Sequence, residues 1–80
     1  MARRTKDESA QTRERILDAA EIEMQARGVS QTSLDRIAKR AQVTRGAIYW
    51  HFADKDDLIA AVIQRSFARW LAALDLPGGE

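Results

Sequence analysis

Residues 34–52 read LDRIAKRAQVTRGAIYWHF, and this stretch decides the fold. Its first half places apolar side chains three and four positions apart, which predicts a short amphipathic helix over residues 34–41. Thr44 follows a very short turn and is a good N-cap, so a second short helix is predicted over residues 45–52. The side chains predicted to face inward are Leu34, Ile37, Ala38, Ala41, Val43, Ile48 and Phe52. Two short helices joined by so tight a turn are typical of a helix-turn-helix.

Helices this short are not stable alone, so the flanking sequence must supply longer helices that pack against them. Helical periodicity predicts one such helix over about residues 9–27, and Gly28 after it suits a left-handed cap. Another helix is predicted from residue 55 or 56 to about residue 74, with Asp54 as its N-cap. The sequence therefore predicts an all-α fold, in which a three-helix helix-turn-helix domain is followed by a longer fourth helix.

The predicted organisation has four parts, and positive charge is concentrated in the earlier ones. The parts are a basic N-terminal arm (1–8), the helix-turn-helix domain (9–54) with its recognition helix at 45–52, the fourth helix (55–75) and a tail (76–80). The net charge of the 80 residues is only +1, but residues 1–45 hold ten Lys and Arg against seven Asp and Glu. Such a field can orient a protein on a phosphate backbone, although solvated helix faces give the same composition.

Several classes of function are disfavoured by composition. Cysteine is absent and His51 is the single histidine, so neither a disulfide nor a Cys or His metal cluster is expected, which suits a reducing cytoplasm. No apolar run approaches the roughly 20 residues that a membrane span needs. Three aspartates follow His51 closely, but no Ser or Cys nucleophile lies in that segment, so an enzyme is not expected. The sequence predicts no cofactor, no metal and no small-molecule site within these residues.

The predicted recognition helix carries polar and aromatic side chains on its outward face. Arg45 can pair with the O6 and N7 acceptors of guanine, and Gly46 lets the backbone approach a groove closely. Tyr49 can contact a thymine methyl group or a phosphate, while Trp50 and His51 can donate N–H groups to phosphates. A monomeric soluble domain has little reason to expose Tyr and Trp side by side. The face therefore predicts sequence-specific binding of double-stranded DNA.

Further residues are candidates for contacts with the DNA backbone. Threonine and serine near the helix starts are caps in the simplest interpretation, but their hydroxyls can also face phosphates. Basic side chains at the N-terminus and at the start of the fourth helix can reach phosphates as well. The predicted auxiliary contacts are Lys55, Thr44, Thr32, Ser33, Arg3 and Arg4.

The run from Thr44 to Phe52, followed by Asp54-Lys55 and Leu58, resembles the recognition segment of TetR-family repressors, most closely the AcrR-like branch that represses multidrug-efflux genes. The resemblance covers about residues 3–62. It implies that the DNA contacts fall on the recognition face and the auxiliary set just described, and that the target is a palindromic operator. It also implies a larger helical domain that binds an inducer and forms the homodimer, which these 80 residues do not include.

Three positions depart from the pattern of the family. Gln42 occupies a turn position that is usually glycine, and a positive φ there would strain it. Met24 replaces a usual core phenylalanine, which softens the packing. Glu23 stands where an apolar residue is common, with Ile22 on the outer face, so the inward stripe of the first helix is expected to be weak. These departures bear on stability more than on function.

The fourth helix is longer than the core beneath it. Its first apolar residues, with Ile63 as a borderline case, can pack on the other helices, but the later ones have nothing in this chain to cover them. The uncovered residues are predicted to be Phe67, Trp70, Leu71 and Leu74. This stripe favours pairing with a second copy or with a full-length relative, so the alternative to a DNA-binding repressor is a truncated interaction module. An ordinary back-folded helix is the simpler explanation of the stripe.

Overall fold

The computed structural model describes the backbone of residues 3–74 and the side chains of residues 8–74. Within this part of the chain there are four α-helices and no strand. The helices are α1 (Arg3–Arg27), α2 (Leu34–Ala41), α3 (Arg45–His51) and α4 (Lys55–Leu74). The predicted all-α fold and the order of its helices are thereby confirmed. The predicted tail at 76–80 lies outside the described residues.

Two helix boundaries differ from the prediction. Helix α1 begins six residues before the expected start at residue 9, so most of the predicted N-terminal arm is helical, because no Gly or Pro interrupts that segment. The side chains of Arg3 and Arg4 lie outside the described ones. Helix α3 ends at His51, and Phe52 is its C-cap, with its backbone N–H donating to the Ile48 carbonyl at 2.9 Å.

The core lies where α1, α2 and α4 meet, and it encloses the inner face of α3. Ile48 is 0% exposed and Phe52 3%, so the two predicted anchors of α3 are confirmed. The guanidinium of Arg13, on α1, lies 5.1 Å from the centre of the Phe52 ring and covers it. The core residues are Ile16, Leu17, Ala19, Ala20, Leu34, Ile37, Ala38, Ala41, Ile48, Phe52, Leu58 and Val62. Helix α3 is therefore held through one face alone.

Side-chain caps begin three of the helices. Ser33 and Thr44 are the N-caps of α2 and α3, and each hydroxyl accepts from a backbone N–H three residues on. Before α4, the Asp57 N–H donates to Asp54 Oδ1 at 2.9 Å and the Ala53 N–H donates to Asp57 Oδ2 at 2.9 Å. This arrangement resembles a capping box, except that Asp57 accepts from the N–H of the residue before the N-cap rather than from the N-cap itself. The predicted cap at Asp54 is confirmed.

The turn between α2 and α3 depends on a left-handed residue. Gln42 has φ 61° and ψ 45°, and its N–H reaches back to the Lys39 carbonyl at 3.2 Å, which ends α2. From α1, Arg15 donates to the neighbouring Ala41 carbonyl at 2.6 Å and so caps the same helix end. The positive φ considered from the sequence is present, at a side chain that disfavours it.

Gln42→Gly is expected to raise the free energy of unfolding by about 0.5–1 kcal/mol, because glycine adopts this conformation without steric strain while its freer unfolded state offsets part of the gain. Chemical denaturation measures the change. The matched control is Gly28→Ala, at a position with φ 82° and open space around it. Its free energy of unfolding is expected to fall by a similar amount, from backbone strain alone. Equal unfolding free energies for the wild type and both variants would contradict this account.

A buried carboxylate joins α1 to α2. Glu23 is 3% exposed, and it accepts from Arg27 Nε at 3.0 Å and from Arg40 Nε at 2.8 Å. The hydrogen bond from Arg40 lowers the pKa of Glu23, burial opposes this, and Arg27 lowers the pKa further. The expectation of a weakened inward stripe at this position is thus incomplete. Glu23 joins the two helices, because its carboxylate pairs with Arg27 on α1 and with Arg40 on α2.

A second ionic cluster joins α1 to α4. Arg65 contacts carboxylates on successive turns of α1, at 2.9 Å for Glu14, 2.9 Å for Asp18 and 2.8 Å for Glu21. Arg69 adds a 2.9 Å contact to Glu21. The Arg65 Nε is buried with no partner, so this side chain bonds through its terminal nitrogens only. The cluster fixes α4 against α1 beyond the reach of the apolar core.

The second half of α4 presents an uncovered apolar surface, as predicted. Trp70 and Phe67 are each 56% exposed, and their rings stack with centroids 5.8 Å apart. Ile63, considered a borderline core residue from the sequence, is 55% exposed and does not pack, since Val62 occupies the inward position. Leu71 and Leu74 are also exposed. Among residues 3–74 no helix is long and apolar enough to cross a membrane.

Candidate nucleic-acid interface

Helix α3 forms a ridge with its aromatic residues pointing away from the protein. Its anchors Ile48 and Phe52 lie on one face, which leaves Tyr49 and Trp50 on the other. Trp50 is 87% exposed and Tyr49 48% exposed, as the sequence predicts. Exposing this much aromatic surface to water is unfavourable unless a partner covers it. The outward face of α3 is therefore the candidate interface.

A polar groove runs along one side of the ridge. It is lined by the α1–α2 loop, the start of α2, the outer face of α3 and the start of α4. Arg45, Tyr49, Lys55 and Ser33 all contribute to it, although they are up to 22 positions apart in the chain. Thr32 also lines the groove, so five of the predicted site residues are brought together there. Asp35, which the sequence interpretation did not select, lines the same groove.

A second groove lies on the other side of α3. Trp50 and His51 line it from α3, and Glu8, Ser9 and Thr12 line it from the first half of α1. The side chains from α1 were missed as site candidates because no periodicity or spacing relates them to α3. The sequence signal that could have identified Ser9 and Thr12 is the presence of small hydroxyl side chains on a helix that is otherwise rich in charged residues. A ridge between two grooves matches the shape of a helix in a DNA major groove, with a phosphate strand on either side.

Arg45 is not free on this surface. Its Nη1 lies 3.1 Å from Asp35 Oδ1, with 54% of the arginine side chain and 73% of the aspartate side chain exposed. The pKa of Arg45 is raised, first through its hydrogen bond with the Tyr49 side chain and then through the charge of Asp35. Arg45 stays cationic across all accessible pH. What these neighbours change is the direction of its guanidinium.

The hydroxyls of the three capping candidates have different capacities. Ser33 and Thr44 use theirs as acceptors, from Arg36 N–H at 3.2 Å and from Ala47 N–H at 3.0 Å, so each hydroxyl proton stays available for a phosphate. Thr32 differs from both, since the residue is 1% exposed and its hydroxyl donates to the Gly28 carbonyl at 2.8 Å. A buried hydroxyl whose proton is already donated cannot donate to a phosphate.

Gly46 is exposed, and the protein itself does not require glycine there. A Cβ added at this position would meet only Thr44 Oγ1, at an ordinary 3.8 Å, and the φ of Gly46 is not positive. Glycine within a helix nevertheless costs about 1 kcal/mol relative to alanine. No contact among the described residues explains glycine at this position, which agrees with the prediction of a close approach by another molecule.

The family model described as bacterial regulatory proteins, tetR family, matches residues 16–62. The chain belongs to this family. The match covers the second half of α1 through the middle of α4, and so includes both helices of the helix-turn-helix. The predicted resemblance is confirmed, and the chain is a TetR-type N-terminal DNA-binding domain. Members of the family are DNA-binding regulators rather than enzymes, as expected from the sequence.

Individual relatives agree with the family assignment. The chain is 56% identical over 66 residues to the HTH-type transcriptional regulator AcrR of Shigella flexneri, covering 82% of this chain and 31% of that protein. It is 56% identical over 64 residues to the HTH-type transcriptional repressor BepR of Brucella suis, covering 80% and 31% respectively. The chain thus spans about a third of the length of the curated relatives that it matches.

A solved structure gives the same comparison in three dimensions. The crystal structure of NalD, described as the secondary repressor of the MexAB-OprM multidrug efflux pump in Pseudomonas aeruginosa, superposes with a TM-score of 0.69 and 49% sequence identity. The alignment covers 71% of this chain and 29% of NalD. The arrangement of the four helices is therefore that of a TetR-family DNA-binding domain.

Proposed function

We propose that this chain is the DNA-binding domain of a transcriptional repressor and binds a palindromic DNA operator by inserting α3 into the major groove. The observation that carries the proposal is the ridge of α3, which exposes Arg45, Tyr49 and Trp50 between two grooves, the first of them polar. In this arrangement base edges face the ridge and phosphates enter the grooves. Arg45, Lys55 and the exposed hydroxyls supply hydrogen-bond donors for duplex DNA, while Asp35 and Glu8 bring negative charge to the same two grooves.

Each side chain then has a distinct part in the contact. Arg45 donates to guanine, and Tyr49 presents its ring to a thymine methyl group. Lys55 and the Ser33 hydroxyl contact the phosphates of one strand in the first groove, whereas His51 and the Trp50 indole contact the phosphates of the other strand in the second. Thr44 adds its hydroxyl and the N–H groups at the start of α3, and Gly46 allows the close approach. Arg3 and Arg4 add phosphate contacts from the N-terminus.

Binding by a single copy is expected to be weak and strongly dependent on salt, because much of the affinity comes from phosphate contacts. Two copies on half-sites about 34–36 Å apart, or a multiple of that distance, would read a palindrome. By analogy with NalD, a repressor of a multidrug efflux pump, the regulated genes are proposed to encode an efflux system. Such a repressor acts in the cytoplasm, where the chromosome lies.

The proposal is tested by selecting DNA with the 80-residue chain itself. The library holds a randomised segment long enough for two half-sites one helical turn apart, and bound duplexes are sequenced after selection at low salt. We expect an enriched motif containing guanine, here termed the selected duplex. It should bind more tightly than a scrambled duplex of the same base composition. Enrichment of no motif, or equal binding of both duplexes, would refute sequence-specific recognition.

The uncovered stripe on α4 favours a second candidate function, pairing with another copy or with a full-length relative. Phe67 and Trp70 stack on each other in the open, and Leu71 and Leu74 extend the surface along the helix. An apolar stripe of this kind marks an interaction surface in a soluble protein. Pairing through it would either supply the second half-site contact or withdraw a relative from its operator.

Sedimentation of the chain, alone and mixed with a full-length TetR-family relative, measures this pairing. Trp70→Glu is expected to abolish any dimer, since it places a charge within the stripe. The control Ile22→Glu changes an exposed isoleucine on α1, outside the stripe, and should leave the dimer intact. Monomers under every condition would eliminate pairing and leave DNA recognition as the single proposed function.

A further inference from the structure

Asp35 is the one acidic residue among the side chains that line the groove shared by Arg45, Tyr49 and Lys55. It projects from the first turn of α2, ten positions before Arg45, and its Oδ1 lies 3.1 Å from Arg45 Nη1. A carboxylate on a surface that faces phosphates opposes DNA binding by its charge. The presence of Asp35 in this groove is therefore explained only if its carboxylate has a favourable effect that outweighs the repulsion.

Protein stability does not supply that benefit. Both partners are more than half exposed, and pairs of this kind contribute little to folding because water screens them. A negative charge in the first turn of α2 also favours the helix dipole, but an acid anywhere in that turn would do the same. What is specific to position 35 is the contact with Arg45, so the role of the carboxylate is to be sought in the arginine.

The contact leaves the base-reading edge of the arginine free. A guanidinium has five N–H donors in a rigid plane, and Asp35 engages Nη1 alone. Asp35 therefore does not engage the edge formed by Nε and Nη2, whose two parallel N–H groups match guanine O6 and N7. Without a partner, an exposed arginine samples many rotamers, and ordering it on the base costs entropy. Together with the hydrogen bond to the Tyr49 side chain, the carboxylate holds the plane before DNA arrives.

We propose that Asp35 is a positioning residue that orients Arg45 toward the base edge and thereby sets the specificity of the DNA contact. This inference rests on the proposed function. The same carboxylate repels the phosphates of every sequence equally, and only a duplex with guanine at the matching position compensates for that repulsion. Because this repulsion is the same for every duplex, it cancels when sequences are compared, and Asp35 raises specificity only by aligning the reading group.

The test measures binding of Asp35→Ala to three kinds of duplex at one salt concentration: the selected duplex, duplexes with each base pair substituted in turn, and the scrambled duplex. We expect discrimination at the base pair read by Arg45 to fall about tenfold, with other positions unchanged. Binding to the scrambled duplex should become tighter. Asp35→Glu, which keeps the carboxylate, should restore more of the discrimination than Asp35→Asn, which keeps one oxygen acceptor but no charge.

Two controls separate positioning from general charge and from folding. Asp56→Asn removes one exposed negative charge outside the groove, and it should tighten binding to every duplex without altering any base preference. In the Arg45→Ala background, Asp35→Ala should have no further effect on discrimination, because a positioning residue acts only through the residue it positions. The thermal midpoint of each variant should change by only a few degrees.

The outcomes distinguish this inference from the proposed function. If the wild type enriches a motif and Asp35→Ala changes binding equally at all base pairs, positioning is overturned while DNA recognition stands. Positioning is also overturned, with DNA recognition intact, if Asp35→Ala lowers discrimination further in the Arg45→Ala background. If the wild type enriches no motif, both proposals fall together.

Discussion

Replacing Arg45 with alanine is expected to lower the preference for the selected duplex by about 5- to 150-fold, with the loss concentrated at one base pair. The range corresponds to about 1–3 kcal/mol for a bidentate arginine–guanine contact. The exposed guanidinium beside Tyr49 at the start of α3 is the group best placed for such a contact. Titration of the selected duplex and of its single-base-pair variants measures the loss.

Two matched variants show whether shape or charge carries this preference. Arg45→Lys keeps the positive charge but not the planar fork, so it should retain most of the overall affinity and lose most of the base preference. Lys39→Ala removes one exposed positive charge from α2 outside both grooves, and its base preferences should equal those of the wild type. An Arg45→Ala protein that keeps its preference at every base pair would refute the assignment of the reading face.

Replacing Ile48 with alanine is expected to lower the free energy of unfolding by about 2–5 kcal/mol, because it removes a fully buried side chain and leaves a cavity. A chain of 80 residues has a total stability of only about 4–12 kcal/mol, so the loss is a large part of the whole. Helix α3 has seven residues and is anchored through one face, and it should lose its fixed position as the cavity opens. DNA binding should fall with it.

The same substitution at an exposed site supplies the control. Ile63 is 55% exposed on α4, so Ile63→Ala should change the unfolding free energy by no more than about 0.5 kcal/mol. Urea denaturation of both variants, with circular dichroism as the signal, compares the two directly. Equal midpoints for Ile48→Ala and Ile63→Ala would show that Ile48 does not anchor α3.

Local features of this chain were predictable because their causes lie within one helical turn. The caps at Gly28, Thr44 and Asp54 each depend on a backbone group three or four residues away, and sequence spacing reports such distances directly. The burial of Ile48 and Phe52 follows from helical periodicity in the same manner. The strained turn at Gln42 was anticipated only through the family resemblance, because the family usually has glycine at this position.

Features that depend on how the helices pack were not predictable. Glu23 looked like a defect in the stripe of α1, since its second partner, Arg40, is 17 positions away on another helix. Thr32 looked like a phosphate contact, but the loop folds it beneath the surface. Ser9 and Thr12 join the site only because α1 crosses beside α3. Each of these outcomes depends on a crossing angle, which side-chain spacing along one helix does not specify.

By itself the amino-acid sequence determined the number and order of the helices, the inward face of α3 and the kind of residue that it turns outward, because helical periodicity and capping act between near neighbours. Only the tertiary structure decided which distant residues share the two grooves, that Asp35 holds Arg45, and that Thr32 is withdrawn from the surface. The physical reason is one of range. A hydrogen bond within a turn is fixed by chain geometry, whereas a contact between helices exists only after the whole core has packed.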